Sequence, residues 1–401
     1  MDTLAPSVEA PLALPKARSA AAILALTLGC FCFVSTELMP VGVLPSMAAG
    51  LHVSLGEAGY LVTCFSFVVA LTATPLTGLL GAINRKLLMS ALLAVCCVGN
   101  VVTYLAPDYL AVLLGRVLVA AAIGVFWSTA VVTAVHMVAP RHAIRATSIV
   151  FGGVSLATVL GVPAGTIIGE HSGWRAVFAA LGLLSLFVFG ALAWSIPAVR
   201  LPHASIRGAL GAIARHRPLM LIFAITASIV TGNFLAYTYV TPYLGSVAGL
   251  TPDQVGAMLL VYGAAGVVLN FAIGPFAARS LNACLGIVTA LMAISLIALN
   301  QVTGPFATIV VLALWGASYG ALPVLLQTSV FKEAATIAGG EDAATSINVA
   351  VFNAAIGLGA LIGGLIVNAM GPAHIPAVAA AFVVMGLLLV FAARRQGARA
   401  S

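Results

Sequence analysis

The chain has 401 residues, of which 62% are hydrophobic and only 7% charged, with a mean hydropathy of +1.17. That excludes a soluble globular domain and describes a polytopic membrane protein. The formal charge of +7 does not point to nucleic acid, because Lys and Arg stand singly or in pairs at the ends of apolar runs, without interleaved aromatics.

The runs lack the ten-residue alternation of an outer-membrane barrel, so helices that satisfy their own backbone groups must cross the membrane. The fold class is all-α. All six cysteines (Cys30, Cys32, Cys64, Cys96, Cys97 and Cys284) fall inside apolar runs and read as small apolar residues, with neither a disulfide nor a metal site.

Residues 1–18 read as a disordered, proline-rich tail. The apolar run after it is too long for a signal-peptide core and has no small-residue cleavage site, so it is expected to stay as the first helix. Runs of roughly 20 residues then predict twelve spans, at 19–44, 55–80, 87–106, 109–135, 146–169, 175–196, 218–243, 254–276, 283–301, 305–330, 345–368 and 376–393.

The longest polar gap gives a linker at 198–217, which divides two six-helix bundles at 19–197 and 218–395, with a short tail at 396–401. An even count puts both termini on one side. That side carries 15 of the 17 basic residues, with only Arg175 opposite and Arg116 inside a span, so the positive-inside rule makes it cytoplasmic. The halves repeat at an offset near 196: Glu57 corresponds to Asp253, Gly78 to Gly274 and Gly161 to Gly357, with Pro45 one residue from Pro242. Parallel halves of this kind place a substrate site between them, near mid-membrane.

In the first span, "CFCFVSTELMPVGVLP" holds Glu37, the one acidic residue within the interior of any span. An intramembrane carboxylate is a functional-site hypothesis by default. Glu37 and Arg116 each lie seven residues from the outer end of spans 1 and 4, about 10 Å deep at 1.5 Å per residue. Equal depth places them to face each other, either as a proton-coupling pair or as a static brace. Pro40 frees backbone groups beside the acid, and Pro45 is expected to end the span.

Other polar and aromatic side chains fall on shared helix faces. Arg116 and Trp127 share one face of span 4; Phe33 and Glu37, Asn233 and Tyr237, and Asn348 and Phe352 are i,i+4 pairs; Trp315 and Tyr319 form a stripe in span 10, with Gln327 drifting off it. A mostly apolar pocket with a few amide, hydroxyl and indole groups suits a small organic molecule, whereas for each residue taken singly interhelical packing and hydrogen bonding is the favoured reading. "GVPAG" (Gly161, Pro163, Gly165) and "GLGALIGG" give small-residue spacing for close helix approach and a possible seal on the outer half. "GASYG", Gly316 to Gly320, matches a nucleophile-elbow pattern but sits in an apolar helical run with no preceding strand.

"STELMPVGVLP" resembles the first-helix signature of the drug:proton antiporter branch of the major facilitator superfamily, in particular its sugar, purine ribonucleoside and chloramphenicol exporters. "LLGRVLVAAAIGVFW", "GVPAG", "AYTYVTPYL" and "SINVAVFNAAIGLGALIGG" resemble spans 4, 5, 7 and 11 of such proteins, and the likeness covers roughly residues 19 to 395. The resemblance implies two pseudo-symmetric six-helix bundles and proton-driven export, with Glu37 and Arg116 as coupling elements. It also assigns Gly161, Pro163 and Gly165 to the conformational switch. The family's loop between spans 2 and 3 carries an aspartate; here "TGLLGAINRKLLM" keeps Gly78, Arg85 and Lys86 without it.

The expected activity is therefore proton-coupled antiport of a sugar-like or drug-like molecule in a bacterial inner membrane. No cofactor other than the proton motive force is expected, no nucleic acid partner, and a monomer as the working unit. An uptake symporter or uniporter is the alternative. A membrane-embedded enzyme is remote, because almost no ionisable groups accompany Glu37 and Arg116 within the bilayer.

Overall fold

The computed structural model describes residues 15–81, 83–199, 210–301, 304–337 and 340–400. Residues 1–14 of the expected tail, 200–209 of the expected linker and residue 401 lie outside them. Among the described residues there is no strand, and twelve helices are long and apolar enough to cross a membrane. They are α1 (Ala17–Leu51), α2 (Leu55–Leu80), α3 (Arg85–Leu105), α4 (Tyr109–His136), α5 (Arg145–Ser172), α6 (Trp174–Ser195), α7 (Arg217–Tyr237), α8 (Pro252–Arg279), α9 (Leu281–Leu299), α10 (Pro305–Ala334), α11 (Ala343–Met370) and α12 (Pro372–Ala393).

Two expected helix ends need correction. Pro45 does not end α1, which continues to Leu51; the interruption falls at Val43, with φ −120° and ψ 19°. Span 7, expected as one helix over 218–243, breaks after Tyr237 and resumes as Val240–Ser246, with Tyr239 at φ −110° and ψ 18°. In both halves a proline then lies within three residues after the break. The two breaks have nearly the same dihedral angles and occupy equivalent places.

The repeat extends to helix starts. Ser54 and Glu57 form a reciprocal capping box at α2, and Thr251 and Gln254 form one at α8. The structural counterpart of Glu57 is thus Gln254, not Asp253, because the cap needs a side chain at N3 that reaches back to the N-cap amide.

Helix packing follows the same rule. In the first half α1 packs on α5 and α6, α2 on α4, and α3 on α4 and α6; in the second, α7 packs on α11 and α12, α8 on α10, and α9 on α10 and α12. The halves meet through α2 against α11 and α5 against α8. At the first of these, a Cβ on Gly364 would press on Tyr60 and on the backbone of Gly56, so glycine is what lets these helices touch.

One hydrophobic cluster, with Leu26, Phe33, Phe65 and Phe126, lies wholly in the first half. The largest cluster belongs mainly to α7–α12 but takes in Val41, Leu44, Ala48, Ala58, Val62 and Val162 from the first half. Most of these belong to the ends of α1 and α2 remote from the chain termini. The face opposite the termini, the distal face, is where apolar packing joins the two halves.

Candidate transport site

Proline chemistry dictates the centre of the site. Without an N–H, Pro40 leaves the carbonyl of Thr36 lacking its i+4 helical donor, and Pro45 does the same to Val41. A carbonyl stripped in this way inside a membrane protein must be satisfied by a neighbouring group. Both are satisfied from other helices. Arg116 Nη1 of α4 donates to the Thr36 carbonyl, and the Thr241 hydroxyl of the Val240–Ser246 segment donates to that of Val41.

The second arm of Arg116, Nη2, donates to the Glu37 carbonyl at 2.9 Å. Its guanidinium lies over the Phe65 ring, 4.3 Å from the centroid, and the residue is 1% exposed. Asn100 of α3 donates to the Thr36 hydroxyl at 3.0 Å. Residues 36 and 37 are thus held by α2, α3 and α4 together.

The expected facing of Glu37 and Arg116 is met in depth but altered in kind. No ion pair within 4.0 Å joins the guanidinium to the Glu37 carboxylate; the ion pair found among the described residues is His216–Glu333, at 3.9 Å. Arg116 touches Glu37 through the main chain, because the stripped carbonyl of the adjoining Thr36 draws its guanidinium to the backbone there. The Glu37 side chain is partly exposed, has no hydrogen bond among the described residues, and lies within electrostatic reach of Arg116 and of Tyr319 in the other half.

The second half supplies an aromatic wall. Tyr237 stacks on Tyr262 at 4.9 Å, Tyr262 meets Trp315 edge-on at 5.1 Å, and Phe234 meets Tyr319 edge-on at 5.8 Å. Asn233 Oδ1 accepts from Trp315 Nε1 at 3.0 Å and from Tyr262 Oη at 3.5 Å, whereas its buried Nδ2 has no partner among the described residues. Nearer the terminal face, Asn348 donates to Gln327 at 3.0 Å and accepts from Thr226 at 3.3 Å, and Gln327 donates to Thr345 at 3.0 Å.

The remaining candidates scatter. Phe33 is fully buried against Phe126, with ring centroids 4.8 Å apart. Trp127 is partly exposed and packs on Phe151 of α5 at 5.7 Å. Phe352 is half-buried beside the main cluster. Gly161 and Gly165 face Ser35 and Met39 of α1, within their own half, while the Pro163 carbonyl lies across from Gly256 of α8. A π-helical turn at Ala157–Gly161 precedes Pro163, a distortion that accommodates an interrupted hydrogen-bond ladder.

Gly78 is exposed with open space about it, and Lys86 is half-exposed. Arg85 is buried, ties its backbone N–H to the Val199 carbonyl at 2.7 Å, and leaves Nε and Nη1 without a partner. In the nucleophile-elbow look-alike, Gly316 and Gly320 face the backbone carbonyls of Tyr262 and Gly266, and the Ser318 hydroxyl bonds back to Leu314 at 2.7 Å. Those glycines serve the tight α8–α10 contact.

Residues 25–341 match the family described as Major Facilitator Superfamily. The chain belongs to the major facilitator superfamily. This facilitator is 33% identical over 385 residues to the inner membrane transport protein YdhP of Escherichia coli O157:H7, covering 93% of this chain and 96% of that protein. Its fold is similar to that of the nucleoside transporter NupG, with a TM-score of 0.79 at 11% identity, over 94% of this chain and 99% of that one. It is also similar to a bacterial homologue of the human lysosomal transporter Spinster in an inward-facing, occupied conformation, with a TM-score of 0.75 at 15% identity, over 95% and 98%. A facilitator of this fold is a membrane transporter of a small solute.

Phe65, Asn100, Thr241 and Tyr262 do not stand out in the sequence. For Thr241 and Asn100 no signal was available, since short polar residues are ordinary in such helices. The acceptors were legible: counting four back from each proline of α1 gives Thr36 and Val41.

Proposed function

We propose that this facilitator is a proton-coupled antiporter that exports a small organic molecule, sugar-like or drug-like, across the inner membrane, with both termini cytoplasmic. The observation that carries the reading is Glu37. A carboxylate with no hydrogen bond and no ion pair, partly exposed between the halves of a membrane protein, is poised to take and release a proton. The inner membrane transport protein to which it is similar supports the inner membrane, and the one-sided distribution of Lys and Arg supports the orientation.

In this reading a proton entering from the distal, outer side neutralises Glu37 and allows return to the inward state, and substrate arriving from the cytoplasm competes with that proton. Each ligand shifts the equilibrium only by its differential affinity for the two states. Tyr237, Tyr319, Trp127 and Phe352 offer apolar and hydroxyl contacts, and the Asn233 amide offers a donor. Phe33, Trp315, Gln327 and Asn348 support these side chains from behind. Gly78, Arg85 and Lys86, with Gly161, Pro163 and Gly165, belong to the elements that move. The cycle runs on the proton gradient alone, in a monomer.

Reconstituted Glu37→Gln protein should lose efflux driven by a pH gradient while retaining substrate exchange. Full gradient-driven efflux by that variant would remove Glu37 from the mechanism. The sign of the response separates uptake symport: there, acidifying the outer side accelerates entry instead of exit, and a uniporter is indifferent to the gradient.

A further inference from the structure

Arg116 is an always-charged side chain, 1% exposed, with no carboxylate within 4.0 Å among the described residues. Both its Nη groups are spent on consecutive main-chain carbonyls of α1, those of Thr36 and Glu37, and its Nε has no partner among the described residues. The first of these carbonyls is the one that Pro40 strips of its helical donor. The second belongs to the residue whose partly exposed carboxylate lies within electrostatic reach of Tyr319 in the other half. A planar guanidinium can hold two such acceptors at once in a fixed fork, whereas a lysine ammonium on a flexible stem is a compact point charge. The Phe65 ring beneath the guanidinium packs on the face of the fork, and Asn100 donates to the Thr36 hydroxyl.

We propose that Arg116 is a positioning residue that splints the Pro40 interruption through two backbone hydrogen bonds, and so aims the Glu37 carboxylate into the space between the halves. This rests on the reading of Glu37 as the proton site. It assigns Arg116 a role distinct from that of a counter-ion: its charge is secondary, and its two-pronged geometry at a stripped carbonyl is what transport requires. The arrangement makes a genetic prediction, because Pro40→Ala returns an N–H that can bond to the Thr36 carbonyl and so removes the need for one prong.

The test is gradient-driven efflux in proteoliposomes, recorded against pH, for wild type, Pro40→Ala, Arg116→Lys and Arg116→Lys/Pro40→Ala. Intact folding is checked by monodispersity in detergent. Arg116→Lys keeps the charge and loses the fork, so efflux should fall by about tenfold or more, the scale of cost expected when a reacting group is misplaced. The double variant should recover to within roughly threefold of wild type, with the wild-type pH profile, on the same scale. Wild-type efflux in Arg116→Lys, or a double variant no better than Arg116→Lys, would overturn the proposal. Glu37→Gln measured alongside separates the two readings: if it still couples to the gradient, the proton-site reading fails, whereas the positioning claim fails only through the Arg116 and Pro40 series.

Discussion

Thr241 donates its hydroxyl to the carbonyl of Val41, the carbonyl that Pro45 deprives of its helical partner, and the two residues belong to opposite halves of the protein. The bond lies toward the distal face, among the apolar residues through which α1 and α2 join the second half. Separating the halves there must break it. Thr241→Val leaves a buried carbonyl unpaired, at about 1–3 kcal/mol, so the distal-open to distal-closed ratio should rise by roughly 5- to 150-fold at equilibrium. Paired spin labels at the distal ends of α1 and α7 read this directly. Thr241→Ser should match wild type, and an unchanged distance distribution in Thr241→Val would show that the bond does not hold the face closed.

Gly364 offers a steric version of the same experiment. A side chain there meets Tyr60 and Gly56 of α2 and the hydroxyl of Tyr239. Gly364→Val should fold yet fail to close distally, with efflux reduced by roughly tenfold or more, since overpacking of a tight contact costs about 1–3 kcal/mol. Cross-linking of a cysteine pair placed across the α2–α11 seam, in a background without the native cysteines, checks the loss of closure.

Asn233 ties two aromatics to one amide oxygen. Asn233→Leu leaves the Trp315 indole N–H and the Tyr262 hydroxyl without that acceptor. The expected loss of stability is about 1–3 kcal/mol, seen as a lower thermal midpoint in detergent. Trp315→Phe in that background should cost much less than it does in wild type, because the donor to be stranded is already gone. Equal costs in the two backgrounds would show that the amide does not hold the wall together.

The chain of amides and hydroxyls nearer the terminal face should behave as one unit. Asn348→Leu breaks the bonds to Gln327 and Thr226 together. A double-mutant cycle with Gln327→Leu should therefore give a coupling of about 0.5–3 kcal/mol, measured by denaturation in detergent. Strict additivity would show the two to be independent.

Glu37 and Arg116 illustrate what the sequence could and could not convey. Their common depth followed from counting residues in two apolar runs, and the structure brings the two residues into contact. Which atoms meet did not follow, since helical periodicity gives depth and face but not which of two nearby acceptors a guanidinium chooses. Likewise the repeat is visible in Pro45 and Pro242, but the offset of 196 that pairs Glu57 with Asp253 misses the structural counterpart by one residue. Composition suggested an acid; capping geometry selected Gln254, which reaches back to Thr251.

By itself the sequence determined that this chain crosses a membrane twelve times as helices, because a bilayer demands apolar runs of fixed length and closed backbone hydrogen bonding. It also determined which carbonyls of α1 would be stripped, since a proline's missing N–H is a covalent fact. Only the tertiary structure decided what fills them: Arg116 from the same half and Thr241 from the opposite one. A stripped carbonyl states a need for a donor, and only the packing of helices distant in sequence selects which side chain arrives to meet it.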